Sequence, residues 1–359
     1  MKKFAKMSLV AALAVAGLTT ANAKDLTEAI KGVDVTGTVA YRYEEASSET
    51  TAQEGDNYYN AVMDMVVPAG DDFSMGLSFQ AGIAKLDHTL AGQSSGSTNV
   101  VLTGVNFTYA GIANTTITAG LQAIPTPWTV ASDAMGTTHT GTGILALTTQ
   151  GPVTLAGAYF NDTDIATLGA GQNIWVIGAI ANVAGVNLDA WYADARDMLD
   201  SYTVSAAYKL DLDAAKIAMG IRYTELELDG SNADQETVHG YIKLTAGMFD
   251  ASVAYGENGS DGGLVAFDPS AKTTMEGWNT KLGNAADEEY LKLSVGAKVL
   301  PALHVSLNYN EEDKADKNET YVQVKYQATK SLSTYVRLGE LDVAGADGSA
   351  GRVHVQYSF

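Results

Sequence analysis

The sequence predicts an all-β protein: a transmembrane, antiparallel up-and-down β-barrel of about eighteen strands with a short N-terminal helix. Three observations predict it. Apolar and polar residues alternate with a period of two through most of the chain, the pattern of strands with one greasy and one wet face. Short and long links between these runs also alternate, as turns at one end and loops at the other end of a membrane barrel do. Finally, the stretch Arg352 to Phe359 sets Val353, Val355, Tyr357 and Phe359 on one face and stops on an aromatic ring. In a soluble protein a free edge of this kind invites aggregation, whereas a strand that closes a barrel in lipid leaves no edge. Such an ending also has the form of the signal read by the machinery that inserts outer-membrane barrels. The rival reading, an edge strand of a soluble sandwich, gives no reason for links that alternate in length.

Composition narrows the function. The 359 residues suffice for one large barrel or two ordinary domains, and the absence of cysteine removes disulfide and thiol chemistry. Lys and Arg number 22 against 42 Asp and Glu, a net charge of -20. That balance excludes a basic nucleic-acid footprint and favours cations as the mobile partner. Hydrophobic residues make up 46%, which fits a barrel because only every second strand residue meets lipid. None of the prolines interrupts an alternating run: Pro68, Pro152 and Pro301 fall in tight turns, Pro125, Pro127 and Pro269 in longer links.

From the start of the chain, Lys2, Lys3 and Lys6 precede an apolar run from Met7 to Leu18 and the small-residue site Ala21-Asn22-Ala23. This three-part pattern predicts a signal peptide over 1–23, since the apolar run is far shorter than the roughly 20 residues of a spanning helix. Asp25 and Glu28 then suit a helix cap, with Leu26, Ala29 and Ile30 on one face and Gly32 as a stop, so 24–33 is expected to form a short periplasmic helix. The barrel domain occupies 34–359.

Alternating runs follow at 35–44, 57–67, 72–84, 100–110, 114–123, 143–150, 152–160, 172–182 and 186–195. A second set lies at 200–211, 214–226, 236–246, 248–257, 287–299, 302–312, 319–328, 332–342 and 350–359. Short turns are expected at 68–71, 111–113, 150–151, 183–185, 211–213, 247, 300–301 and 329–331. Longer links are expected at 46–55, 85–99, 124–142, 161–171, 229–235, 258–286 and 343–349, with modest ones near 196–199 and 313–318. An even strand count places both ends in the periplasm, and a cylinder this wide holds water rather than a filled core.

The link 124–142 is the candidate constriction loop: Trp128 is an apolar anchor, Pro125 and Pro127 stiffen it, and it carries Asp133 and His139. Its alternative is a plain surface loop. Arg42, Arg337 and Arg352 fall on inferred lumen faces of the first and the last two strands, which closure makes neighbours, and Arg222 lies at comparable height elsewhere. A basic wall opposite an acidic loop would impose a transverse field on solutes; alternatively, each Arg pairs locally with an acid such as Glu44 or Glu340. The longest link, 258–286, carries Asp261, Asp268 and Glu276 among glycines and reads as a solvated acidic surface loop anchored by Trp278. Ca²⁺ on such acidic loops is the one cofactor considered, although the spacing is not that of an EF-hand. No nucleophile, phosphate-loop, zinc or dinucleotide motif surrounds His88, His139, His239, His304 or His354, so no catalysis is expected.

The stretch Asp25-Leu26-Thr27-Glu28-Ala29-Ile30-Lys31-Gly32-Val33-Asp34-Val35-Thr36-Gly37, followed by Tyr41-Arg42-Tyr43, resembles the opening of the Campylobacter-type major outer membrane porins. Ala119-Gly120-Leu121-Gln122, with Trp128-Thr129 and Gly141-Thr142-Gly143, resembles their constriction-loop region. The resemblance implies an eighteen-stranded homotrimeric porin that prefers cations and passes ions and small hydrophilic solutes across the outer-membrane lipid. A substrate-specific channel, a surface adhesin and a structural barrel are the alternatives.

Overall fold

The computed structural model describes residues 32–48, 51–86, 100–130, 133, 135–136, 139–165, 172–231, 233–344 and 346–359. The segment expected to be a signal peptide, 1–23, and all of the expected helix but Gly32 and Val33, lie outside the described residues. Gly32 forms a turn and Val33 no regular structure.

Eighteen strands follow in order. They are β1 (Asp34–Ser48), β2 (Thr51–Pro68), β3 (Phe73–Leu86), β4 (Val100–Ile112), β5 (Thr115–Ala123) and β6 (Thr140–Gln150). Next come β7 (Val153–Thr163), β8 (Ile174–Val183), β9 (Val186–Ala195), β10 (Leu199–Asp211), β11 (Lys216–Leu228) and β12 (Asp234–Ala246). The last six are β13 (Phe249–Asn258), β14 (Glu289–Leu300), β15 (Leu303–Glu312), β16 (Lys317–Gln327), β17 (Leu332–Val343) and β18 (Ala346–Ser358). Every strand pairs antiparallel with its neighbour in sequence, and β1 also pairs with β18 through a register running from Thr38↔Ser358 to Ser48↔Gly348. The sheet is therefore a closed barrel with no free edge, as the terminal strand predicted.

The two faces sort as the alternation requires. On β1, Val35 and Val39 are exposed on the outside, while Ala40 and Arg42 face the lumen. Ile221, Ile242, Val295 and Leu338 continue the outer apolar band. Aromatic pairs sit towards both ends of it: Phe73 with Tyr109 (centroids 4.8 Å apart) near the short turns, and Trp175 with Tyr192 (5.3 Å) near the longer links. This is the arrangement of rings at two membrane interfaces.

At the closing seam, Gly37 and Phe359 exchange backbone hydrogen bonds of 3.0 and 3.1 Å. The Phe359 ring covers Gly37 so closely that a Cβ there would lie 2.7 Å from it. Val353, Val355 and Tyr357 point outwards beside that ring.

Two expected links contract. Strand pairing extends into both: Ser48 pairs with Thr51 within 46–55, and Val343 pairs with Ala346 within 343–349. Neither stretch alternates large apolar with polar residues, so neither carries the pattern from which to read a strand that continues beyond the lipid.

Candidate pore constriction

Between β5 and β6, the described residues of 124–139 lie in the lumen. Ile124 and Trp128 are buried in an apolar cluster with Phe160, Ile174, Val176 and Leu226 on the wall. The Trp128 indole N–H donates to Ser201 Oγ on β10 at 2.8 Å, and the ring stacks on Phe267 with centroids 6.4 Å apart. At the other end of the loop, Asn60 on β2 donates to the Met135 carbonyl at 2.7 Å, and Gly136 lies against Thr38 and Val62. In an 18-stranded cylinder β10 stands half a circumference from β1, so this loop crosses the lumen rather than skirting it. Asp133 shapes the far end: its carboxylate accepts the Met135 N–H at 2.8 Å and its carbonyl the Gly136 N–H at 3.0 Å.

The long link 259–288 differs from its expected form. It is not a solvated surface loop; Val265, Phe267, Ala271, Met275, Trp278 and Leu282 are buried, and the chain lies inside the barrel. These apolar residues recur among the acids without strand periodicity, so the sequence shows the charges more plainly than the anchors. The link meets the crossing loop through two backbone bonds of 2.9 Å, from Phe267 to Trp128 and from Lys272 to Pro127. It then passes His239, whose ring bonds the Lys272 carbonyl at 3.0 Å, and Lys292, which donates to the Glu276 carbonyl.

The link ends against β16. Glu319, 1% exposed, accepts the N–H groups of Trp278 (2.7 Å) and Asn279 (2.8 Å), the Thr280 hydroxyl (2.9 Å) and the Asn310 amide (2.6 Å). A buried carboxylate is stable only when its lone pairs are filled in this way. Its position was legible in principle, because Glu319 shares the lumen face of β16 with Tyr321 and Gln323; its loop partners were not.

His139 joins the two loops. Its Nδ1 lies 3.0 Å from Asp164 and its Nε2 3.1 Å from Asp268, so one ring bridges three chain segments. Both nitrogens can donate only in the imidazolium form. The bonds to Asp164 and then Asp268 raise its pKa to about 9 against the opposing effect of burial. Burial works against the Asp164 charge, but the His139 and Thr140 donors outweigh it and hold the carboxyl below its usual range. Asp268 is lowered first by the His139 bond.

The lumen arginines divide. Arg42, Arg337 and Arg352 come together on β1, β17 and β18, with Arg337 directly opposite Arg352 in the register. Glu44 forms an ion pair with Arg352 and lies 3.8 Å from Arg42 Nη1, so the local pairing expected as the alternative holds for these two. Arg42 Nε donates to His354 Nδ1 at 3.5 Å, and Arg337 Nε to Gln323 at 2.7 Å. The Arg337 guanidinium lies 5.8, 5.3 and 4.9 Å from the ring centroids of Trp278, Tyr321 and Tyr335, and Arg352 lies 5.5 Å from Trp278. Arg222 does not join them. It is buried on β11, where Asp189 accepts from it at 2.9 Å and Thr203 and Ser205 also bond it. Among the described residues, no group of three or more His, Asp or Glu side chains comes together to hold a metal ion.

A closed barrel with a greasy band, two aromatic rims and a polar lumen crossed by inward loops defines the outer-membrane porin class. The chain belongs to the Campylobacter major outer membrane protein family, whose profile matches residues 1–359. The fold is similar to that of Pseudomonas aeruginosa OpdQ at 14% identity, with a TM-score of 0.76 over 91% of this chain and 99% of that one. It is also similar to Acinetobacter baumannii OccAB3 at 14% identity (TM-score 0.74; 92% and 99% covered). A third, Pseudomonas aeruginosa OccK8 (OprE), is 13% identical with a TM-score of 0.73, covering 92% and 98%. A comparison with curated proteins finds no match.

Proposed function

We propose that this outer-membrane porin passes ions and small hydrophilic solutes passively, prefers cations, and works as a homotrimer exported by a cleaved signal peptide over 1–23. The observation that carries the channel reading is the pairing of β1 with β18, which closes a cylinder too wide for its side chains to fill. Solute size is limited where the crossing loop, with Trp128, Asp133 and His139, narrows the lumen that the arginine wall of Arg42, Arg337 and Arg352 lines. The net charge of -20 supports the preference for cations, because it lowers the potential along the entrance. The outward faces of Val353, Val355, Tyr357 and Phe359 suit recognition by the barrel-insertion machinery.

Planar bilayers holding the refolded chain test this. Stepwise conductance in triplets and a cation-signed reversal potential under a salt gradient are expected; a sealed bilayer or an anion-signed potential refutes it. Charge reversal of Arg42 or Arg337 should move the reversal potential, and an unmoved potential would remove these residues from the constriction.

A further inference from the structure

Lys209 on β10, Lys243 on β12, Lys298 on β14 and Lys325 on β16 lie close to the short turns, and their chain neighbours Tyr208, Ile242, Leu244, Val299, Val324 and Tyr326 are exposed on the outer face. The lysines therefore point into the lumen, along one arc of the mouth that opens to the periplasm. The register sets them in two rows. Lys209 and Lys243 both stand opposite Ala218 on β11, and Lys298 and Lys325 both stand opposite His304 on β15. All four are exposed, and among the described residues none forms an ion pair. The acids nearby are taken: Asp211 holds Lys216 at 3.2 Å, and Asp250 lies 2.6 Å from His304 Nε2. Across the mouth, Asp34 and Asp64 occupy lumen-facing positions of β1 and β2. Unpaired cations along one arc repel one another and oppose the passage of other cations, so a cation-preferring conduit does not account for them.

We propose that this lysine arc is a docking surface for an extended, acidic polypeptide segment reaching the barrel from the periplasm. Neighbouring strands are spaced about 4.8 Å, so the two lysines of a row stand roughly 10 Å apart, about the rise of three residues in an extended chain. A strand-like segment with a carboxylate at about every third residue lies along the arc and meets each lysine in turn. Because the ammonium groups point inwards, the partner is a single chain narrow enough to enter the mouth, which a folded domain or a cross-linked glycan is not. Exposed ion pairs are individually weak, so the surface acts through their number and yields to salt. Bound there, the segment narrows the pore from one side only. The proposal goes beyond the channel reading, and the binding can be measured without current.

The probe is a synthetic peptide of Glu-Gly-Ser repeats, with a Gln-Gly-Ser peptide of equal length as control. Calorimetry of the detergent-solubilised, full-length barrel should show binding of the first and none of the second, weakened about tenfold or more as salt rises from about 0.1 to about 1 M. In bilayers the Glu peptide should block current from one side of the membrane alone. Lys243→Gln or Lys298→Gln should weaken binding about two- to threefold, and Lys209→Gln, Lys243→Gln, Lys298→Gln and Lys325→Gln together by about tenfold or more. Arginine at the same positions should keep the binding, and it covers the case in which the glutamine variant does not fold. Lys314→Gln, in the turn between β15 and β16 at the opposite end, should leave binding unchanged. Binding by a barrel that does not conduct would refute the channel reading and keep the docking surface. Unchanged affinity in the combined glutamine variant, or equal binding of the Gln peptide, overturns the proposal. Tighter binding of polygalacturonate than of the Glu peptide also overturns it, in favour of an anionic glycan.

Discussion

Glu319 and His139 are the residues on which the lumen architecture turns. Glu319 collects the donors of Trp278, Asn279 and Thr280 in a site shut off from water. Replacing it with alanine leaves those donors unpaired, a local loss on the order of 3 kcal/mol. The expected result of Glu319→Ala is faster proteolytic cleavage within 259–288 and red-shifted tryptophan emission as Trp278 loses its seat, with the barrel's circular dichroism unchanged. His139 gives a pH prediction. Its pKa in the folded protein, about 9, stands above its ordinary 6.5, so the bridge contributes fully below about pH 6.5 and is lost as pH rises through about 9. Current noise from loop motion should therefore stay low at pH 7 and rise towards pH 10. His139→Gln should be noisy at both, and a noise level independent of pH in the native chain would contradict the bridge.

At the scale of elements, the strands depend on close approach as much as on alternation. Gly143 follows a register shift between β6 and β7, and a Cβ there would lie 2.0 Å from the Tyr159 carbonyl and 2.7 Å from the Phe160 Cα. Gly143→Val should break that pairing beside the Trp128 cluster and lower the yield of refolded barrel, measured by the gain of β-sheet dichroism in detergent. The seam behaves differently. Removing the Phe359 ring uncovers Gly37 without touching the lumen, so Phe359→Ala should reduce the amount delivered to the outer membrane while the protein that arrives conducts normally. Most strands were legible from the sequence because a membrane wall imposes one apolar residue in two. Where β1, β2 and β18 extend beyond the lipid that constraint ends, and the sequence there reads as loop although the strands stay paired. Trp278 was legible as an anchor of its link, but the wall it anchors to was not.

At the scale of the molecule, the two inward links set the open cross-section. Trimming 259–288 to a short turn should raise single-channel conductance severalfold, because the segment from Val265 to Leu282 no longer occupies the lumen. Unchanged conductance would mean that the current passes elsewhere.

The sequence by itself determined the closed antiparallel cylinder, its strand count, its greasy outer face and the short-turn end, since each follows from local periodicity and link length. It also placed Arg42, Arg337 and Arg352 on one wall, because closure joins the strands that carry them. Only the tertiary structure decided that Arg222 is neutralised by Asp189, that the longest link turns inward, and that His139 bridges Asp164 and Asp268. Those outcomes depend on side chains far apart in the chain meeting across a lumen, and no periodicity along one strand records which residue stands on the opposite wall.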